Sequence, residues 1–177
     1  MIRKISTRFA LVVAVVATIG CDRVTKHVAT ISLAGDPGRS YLADTIRLEY
    51  AENEGGFLSL GADLPHAVRT ALFNFGSGLM LLVLLGAAVR FRWRGTLLIG
   101  AGLIVAGGAS NLVDRVMRGS VVDFINVGVG PLRTGIFNLA DVAITLGGAV
   151  LLLCERRRSG AALPCSCGDG ARTDDIT

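Results

Sequence analysis

Charged and aromatic side chains are scarce in this chain. Asp, Glu, Lys and Arg make up 18% of its 177 residues and Phe, Trp and Tyr 6%, against 51% apolar residues. That balance, with a positive mean hydropathy, is strange for a soluble domain and ordinary for a small polytopic membrane protein. No basic stripe interleaved with aromatics accompanies the net charge of +4, which leaves nucleic-acid binding without support. Histidine is limited to His27 and His66, both far in sequence from the polar stretch between Asn111 and Asp141. There is no HExxH and no Ser, Cys or His constellation to compete with carboxylate chemistry. Of the four cysteines (Cys21, Cys154, Cys165 and Cys167), the last two are one residue apart. Zinc pairs want two to four residues between ligands, so the cysteines read as incidental. No metal or organic cofactor is expected.

Apolar runs, by contrast, are plentiful. The first, Phe9 to Gly20, follows Arg3, Lys4 and Arg8 and precedes Asp22, Arg23 and Lys26. It is too short for the roughly 20 residues that a spanning helix needs. Either the helix covers about residues 5–28 with Arg23 and Lys26 snorkelling at its outer end, or residues 1–21 are a cleaved signal peptide. Further spans are expected over roughly 67–89, 95–116 and 135–154. The 23 glycines suit close helix approach in lipid. The expectation is therefore a mainly α, four-helix membrane protein forming one domain over 1–158, with a disordered cytoplasmic tail over 159–177.

Residues 29–66 contain no spanning run. Gly35-Asp36-Pro37-Gly38 is a turn signal. Ile46, Leu48 and Tyr50 alternate with Arg47 and Glu49, a period of two that predicts a strand. This segment is expected to form a small periplasmic β platform between helices 1 and 2. Basic clusters lie at the N-terminus, at Arg90, Arg92 and Arg94, and at Arg156 to Arg158. Four spans put all three on one side, which the positive-inside rule makes the cytoplasm.

The polar residues inside or beside the runs then gather at the other face. Asp22 and Lys26 share a helix face at i,i+4. Asn111, Asp114 and Arg115 end the third run, and Asn138 and Asp141 open the fourth. A carboxylate within a hydrophobic run costs on the order of 3 kcal/mol, and Asp141 reads as too deep to be a helix cap. Val121 to Ile125 reads as a short strand carrying Asp123, and Gly128, Gly130 and Pro131 would let it fold back so that Asp123 meets Asp141. Two carboxylates held together share one proton, leaving an acid and a base near neutral pH. Such a pair can activate water and protonate a leaving amine, the chemistry of an aspartic protease. The plain structural alternatives are an interfacial Asp22–Lys26 pair and a satisfied Asp114–Arg115 pair.

Five segments occur in a telling order: Asp22-Arg23-Val24-Thr25-Lys26, Asn53-Glu54-Gly55, Asn111-Leu112-Val113-Asp114-Arg115, Val122-Asp123-Phe124 and Phe137-Asn138-Leu139-Ala140-Asp141. Over about residues 8–154 the chain resembles the type II, or lipoprotein, signal peptidases of bacterial inner membranes. The resemblance implies a four-helix aspartyl endopeptidase that cuts prolipoproteins just before a diacylglyceryl-modified cysteine. It implies Asp123 and Asp141 as the catalytic dyad. Asp22, Lys26, Asn53, Gly55, Asn111, Asp114, Arg115, Asn138 and Ala140 would support the site or bind substrate. It also implies a site at the periplasmic face with both termini cytoplasmic, and membrane lipid and prolipoproteins as partners of a monomer. After Gly55, Gly56-Phe57 is close to the family pattern, but the following loop, Leu58-Ser59-Leu60-Gly61, departs from it and bears on inhibitor fit and substrate preference. Thr18-Ile19-Gly20-Cys21 is somewhat like a lipobox, but cleavage there would sever the first segment from its helix, which weighs against the signal-peptide reading. The rival from another class is a small proton-coupled transporter or channel using the aspartates as a relay. It predicts polar residues spread through the membrane depth, whereas these crowd at one end.

Overall fold

The structure, a computed structural model, describes residues 2–55 and 63–160. The departing loop after Gly55 and the tail with Cys165 and Cys167 lie outside the described residues. Helix α1 (Ile2–Leu33) runs without a break, longer at its C-terminal end than the expected 5–28. Thr18, Thr25 and Thr30 hydroxyls donate to carbonyls one turn back, each at 2.8 Å, so its hydroxyls find partners within the helix. The chain leaves the helix where Gly35 adopts φ +86°. Cys21 lies in mid-helix, which gives no extended segment for the cleavage considered above.

The next long helix is continuous from His66 to Arg90 and combines α2 (His66–Thr70), a π-helical turn (Ala71–Gly76) and α3 (Ser77–Arg90). A short connection leads to α4 (Thr96–Arg118). These two helices are long and apolar enough to cross a membrane. Helix α5 (Leu139–Gly160) follows the second connector. Helix α4 is central and packs on α1, α3 and α5. One stripe of α4 explains this, because Gly100, Ala101, Ala106, Gly107, Ser110, Asn111 and Asp114 are its buried residues. The small members let α5 approach backbone to backbone, while the polar members collect at the C-terminal end. Val12, Val16, Leu79, Leu82 and Leu152 remain exposed on the outside of the bundle, as lipid-facing side chains would.

The sheet has four antiparallel strands in the order β1 (Arg39–Tyr41), β2 (Ile46–Asn53), β3 (Val121–Val129) and β4 (Leu132–Arg133). The expected platform of residues 29–66 is therefore incomplete: α1 occupies its first residues, and half of the sheet comes from the connector between α4 and α5. The predicted strand around Asp123 is present and longer than expected. Ile46 pairs with Val127 and Asn53 with Val121, but the register shifts between Leu48 and Ala51. Three residues of β2 advance while β3 advances two, a bulge that re-aims the strand. Past it, Ala51 opposes Asp123, so Asn53 and Asp123 are diagonal neighbours on one face. Beneath the sheet, Ala29, Leu33 and Phe124 form a buried core against which Leu48, Tyr50, Ile125 and Leu139 pack. This core ties the sheet to α1 and to the start of α5.

Candidate active site

The second half of α1, the C-terminal end of α4, the bulged β2–β3 pair and the start of α5 converge, and each brings residues that the sequence singles out. Asp22, Lys26 and Asp114 are almost wholly buried. Lys26 does not snorkel. Its ammonium lies 2.7 Å from Asp22 Oδ2, 2.8 Å from Asp114 Oδ2 and 2.7 Å from Asn111 Oδ1, so all three of its donors are used. Asp114 also pairs with the Arg23 guanidinium. The suggested Asp114–Arg115 pair is thus replaced by partners from α1. The remaining acceptors of Asp22 take the Ser110 hydroxyl at 2.7 Å and the backbone N–H of Ala140 at 2.9 Å. A buried ammonium with carboxylates on two sides is tolerable only in such a fully hydrogen-bonded setting.

Lys26 also fixes the next amide. A cation on Asn111 Oδ1 leaves Asn111 Nδ2 as the outward donor, and it reaches Asp141 Oδ1 at 2.9 Å. Asn138 precedes α5 as its N-cap. Its Oδ1 accepts the Asp141 N–H at 3.0 Å, while Asp141 Oδ2 accepts the Asn138 N–H at 3.3 Å. This is a capping box, with Asp141 at the third helical position. The expectation that Asp141 is too deep to cap is therefore wrong, because α5 begins at Leu139 rather than at 135. Capping occupies one lone pair of one carboxylate oxygen, and the side chain remains partly exposed.

Asn138 Nδ2 donates in turn to Asp123 Oδ1 at 2.6 Å, and Asn53 Nδ2 donates to Asp123 Oδ2 at 2.9 Å. One asparagine therefore touches both aspartates. Gly55 enters through its backbone: its N–H donates to Asn53 Oδ1 at 3.0 Å, and its carbonyl accepts from Arg115 Nη2 at 2.8 Å. The Arg115 guanidinium stacks 5.8 Å from the Phe73 ring. Every residue marked in the sequence falls in this one cluster. Burial pushes the Asp123 carboxyl up to about 6; the charge of Asp141 adds to the rise, and the amides of Asn53 and Asn138 and the charge of Lys26 oppose it. A carboxyl in that range exchanges a proton at neutral pH, as a general acid or base must. Among the described residues no group of three or more His, Cys, Asp or Glu is placed to hold a metal ion.

A family model for signal peptidase (SPase) II matches residues 14–156. The chain belongs to the signal peptidase II family. Relatives named lipoprotein signal peptidase agree. That of Sphingopyxis alaskensis is 38% identical over 151 residues, covering 84% of each chain. That of Pelodictyon phaeoclathratiforme is 34% identical over 164 residues, covering 85% of this chain and 92% of its own. The same fold occurs in a bacterial membrane enzyme solved by the in meso method at 2.3 Å, with a TM-score of 0.76 at 22% identity over 90% of this chain and 94% of that one. The stretch that matches the signal peptidase II family includes every residue of the cluster.

Three contributors escaped the sequence reading. Ser110 caps Asp22, Arg23 holds Asp114, and the Glu54–Arg69 ion pair ties the end of β2 to α2. Ser110 precedes Asn111 in the polar end of the α4 stripe, a position that the helix period would have disclosed. His66, distant in sequence, lines a cavity together with Arg115; only the fold brings it there.

Proposed function

We propose that this signal peptidase II family member is a membrane-embedded aspartic endopeptidase whose dyad is Asp123 and Asp141. It removes signal peptides from prolipoproteins by cutting before a diacylglyceryl-modified cysteine. The observation that carries this reading is that Asn138 donates to both carboxylates, to Asp123 from its side-chain amide and to Asp141 from its backbone N–H, with a further donor on each outer flank from Asn53 and Asn111. These asparagine-borne contacts hold two acids in register and leave oxygen lone pairs for water. One proton is shared across the dyad. The ionised aspartate takes a proton from water as its oxygen attacks the scissile carbonyl, and the protonated aspartate donates to that carbonyl oxygen. The tetrahedral adduct then collapses: one hydroxyl proton returns to the second aspartate as the carbonyl re-forms, the C–N bond breaks, and the amine leaves with the proton first taken from water.

The same reading places α1, the helix from His66 to Arg90, α4 and α5 as four spans, with the basic loop at Arg92 and Arg94 cytoplasmic and the sheet on the periplasmic face of the inner membrane. The working unit is a monomer. A substrate can then keep its acyl chains in the outer leaflet while water reaches the bond. The crowding of polar side chains at one end of the bundle favours this over a proton relay through the membrane. The test is Asp123→Asn and Asp141→Asn, assayed separately on a diacylglyceryl-modified prolipoprotein in liposomes. Each is expected to lower the rate by on the order of 10²–10⁴ while the protein still inserts. Near wild-type cutting by both would end the aspartic reading.

A further inference from the structure

Beside the dyad lies a second polar feature that the reaction does not use. Glu54, His66, Arg69, Phe73, Asn74 and Arg115 line a cavity of about 210 Å³. Phe73 and Asn74 belong to the π-helical turn Ala71–Gly76, and such turns are frequent at functional sites. Arg115 Nε is buried with no hydrogen-bond partner among the described residues, an unmet donor that a ligand acceptor would satisfy. The lining residues carry two guanidinium groups and the carboxylate of Glu54, which pairs with Arg69; behind the lining, Asp141, Asp123 and Asp114 act on Arg115.

Position tells which part of a substrate this cavity meets. Asn53 holds Asp123, and the next two residues, Glu54 and Gly55, bring the chain to Arg69 and Arg115. The cavity is therefore one or two extended residues, about 3–7 Å, from the dyad. It lies at the first residue of α2 and the last turn of α4, the watery end of both helices. A signal peptide is apolar and stays in the bilayer; the polypeptide that leaves for water is the part after the cleaved bond. That space is enough for a side chain with some of its solvation.

We propose that this cavity is a subsite for the first residues after the modified cysteine, and that it prefers acidic or carbonyl-rich segments and disfavours lysine and arginine there. This rests on the peptidase reading above. A carboxylate would be drawn to the Arg69 and Arg115 guanidiniums of the lining. An incoming cation would face both guanidiniums, with Glu54 already paired to Arg69 and, behind Arg115, the dyad sharing one negative charge.

The test uses the purified full chain and three diacylglyceryl-modified prolipoproteins that differ only in the residue after the cysteine: Glu, Ser or Lys. In detergent without anionic lipid, kcat/KM is expected to favour Glu over Lys by about fivefold, the scale of two partly solvated charge contacts. Arg69→Gln is expected to shrink that Glu-to-Lys ratio towards one, and since it is a ratio within one variant it does not depend on how much protein folds. Equal rates for all three substrates in the wild type would overturn the subsite while leaving the peptidase intact. So would a preference that appears only when anionic lipid is added, which would assign the cavity to a lipid headgroup. If none of the three is cut, the peptidase reading itself fails.

Discussion

Asp123 sits in an environment that works against its own charge. The residue is 2% exposed, and its pKa is raised from 3.8 to about 6. A group whose folded pKa lies above its unfolded value stabilises the fold fully below the unfolded pKa and loses that contribution as pH rises through the folded one. Each tenfold change in proton affinity corresponds to about 1.36 kcal/mol. The wild type is therefore expected to lose on the order of 3 kcal/mol between about pH 4 and pH 7 through this group alone. The Asp123→Asn variant should lack that loss, so its stability relative to the wild type should rise by that amount between pH 4 and pH 8, even though its Nδ2 cannot accept from Asn53 or Asn138 as the carboxylate does. Thermal unfolding in detergent from pH 4 to pH 8 checks this, and parallel curves for the two proteins would refute it. The aspartates, Asn111, Asn138 and Lys26 were legible in the sequence, since each is an expensive residue in or beside an apolar run; Asn53 was marked by the family resemblance. Which donor faces which oxygen was not. Asn111 and Asn138 are ambiguous amides until Lys26 and the α5 N-terminus dictate their orientation.

At the scale of elements, two devices hold the helices. Lys26 ties α1 to α4. Its replacement by Met leaves Asp22 without its cation and Asp114 with Arg23 alone, an expected cost of about 3–5 kcal/mol. The double variant Lys26→Met with Asp22→Asn should recover part of that cost, and chemical denaturation of both compares them directly. Helices α4 and α5 meet through small residues. A Cβ on Gly147 would lie 2.6 Å from the Gly100 carbonyl and 2.7 Å from Ile104 Cγ1, whereas one on the neighbouring Gly148 meets nothing within 4 Å. Gly147→Ala is expected to destabilise by about 1–3 kcal/mol. Gly148→Ala should be neutral or stabilising by up to about 1 kcal/mol, since Ala is the better helix former. Equal effects at the two positions would mean that α4 and α5 do not pack as described. The sequence predicted these helices from their apolar runs, but it misplaced the start of α5. Phe137 looks like part of the span, yet its backbone bonds to Ile125 across the sheet.

Among the described residues, one end of the bundle carries the hydrogen-bonded polar cluster, the middle is apolar and the other end carries basic residues. The three-arginine loop at Arg90, Arg92 and Arg94 and the hairpin around Asp44 lie at opposite ends of this arrangement in the proposed orientation. A single cysteine at Arg92, placed in a background without the native ones, should react with a membrane-impermeant thiol reagent only after the inner membrane is opened. One at Asp44 should react in intact spheroplasts. The reverse pattern would invert the topology and put the dyad on the wrong side for exported substrates.

The sequence by itself determined the membrane class, the strand carrying Asp123 and the charged members of the polar cluster, because hydropathy and the cost of charge in lipid are local properties of residues; Asn53, Gly55 and Ala140 were marked only by the family resemblance. Tertiary structure alone decided three things. It completed the sheet with strands from two connectors, since strand pairing depends on neighbours as far apart in sequence as Asn53 and Asp123, 70 residues. It made Asp141 a capping residue as well as an acid, because helix starts depend on which competing bond Phe137 makes. And it brought His66 to Arg115, because a cavity is the space between elements and no single segment encodes it.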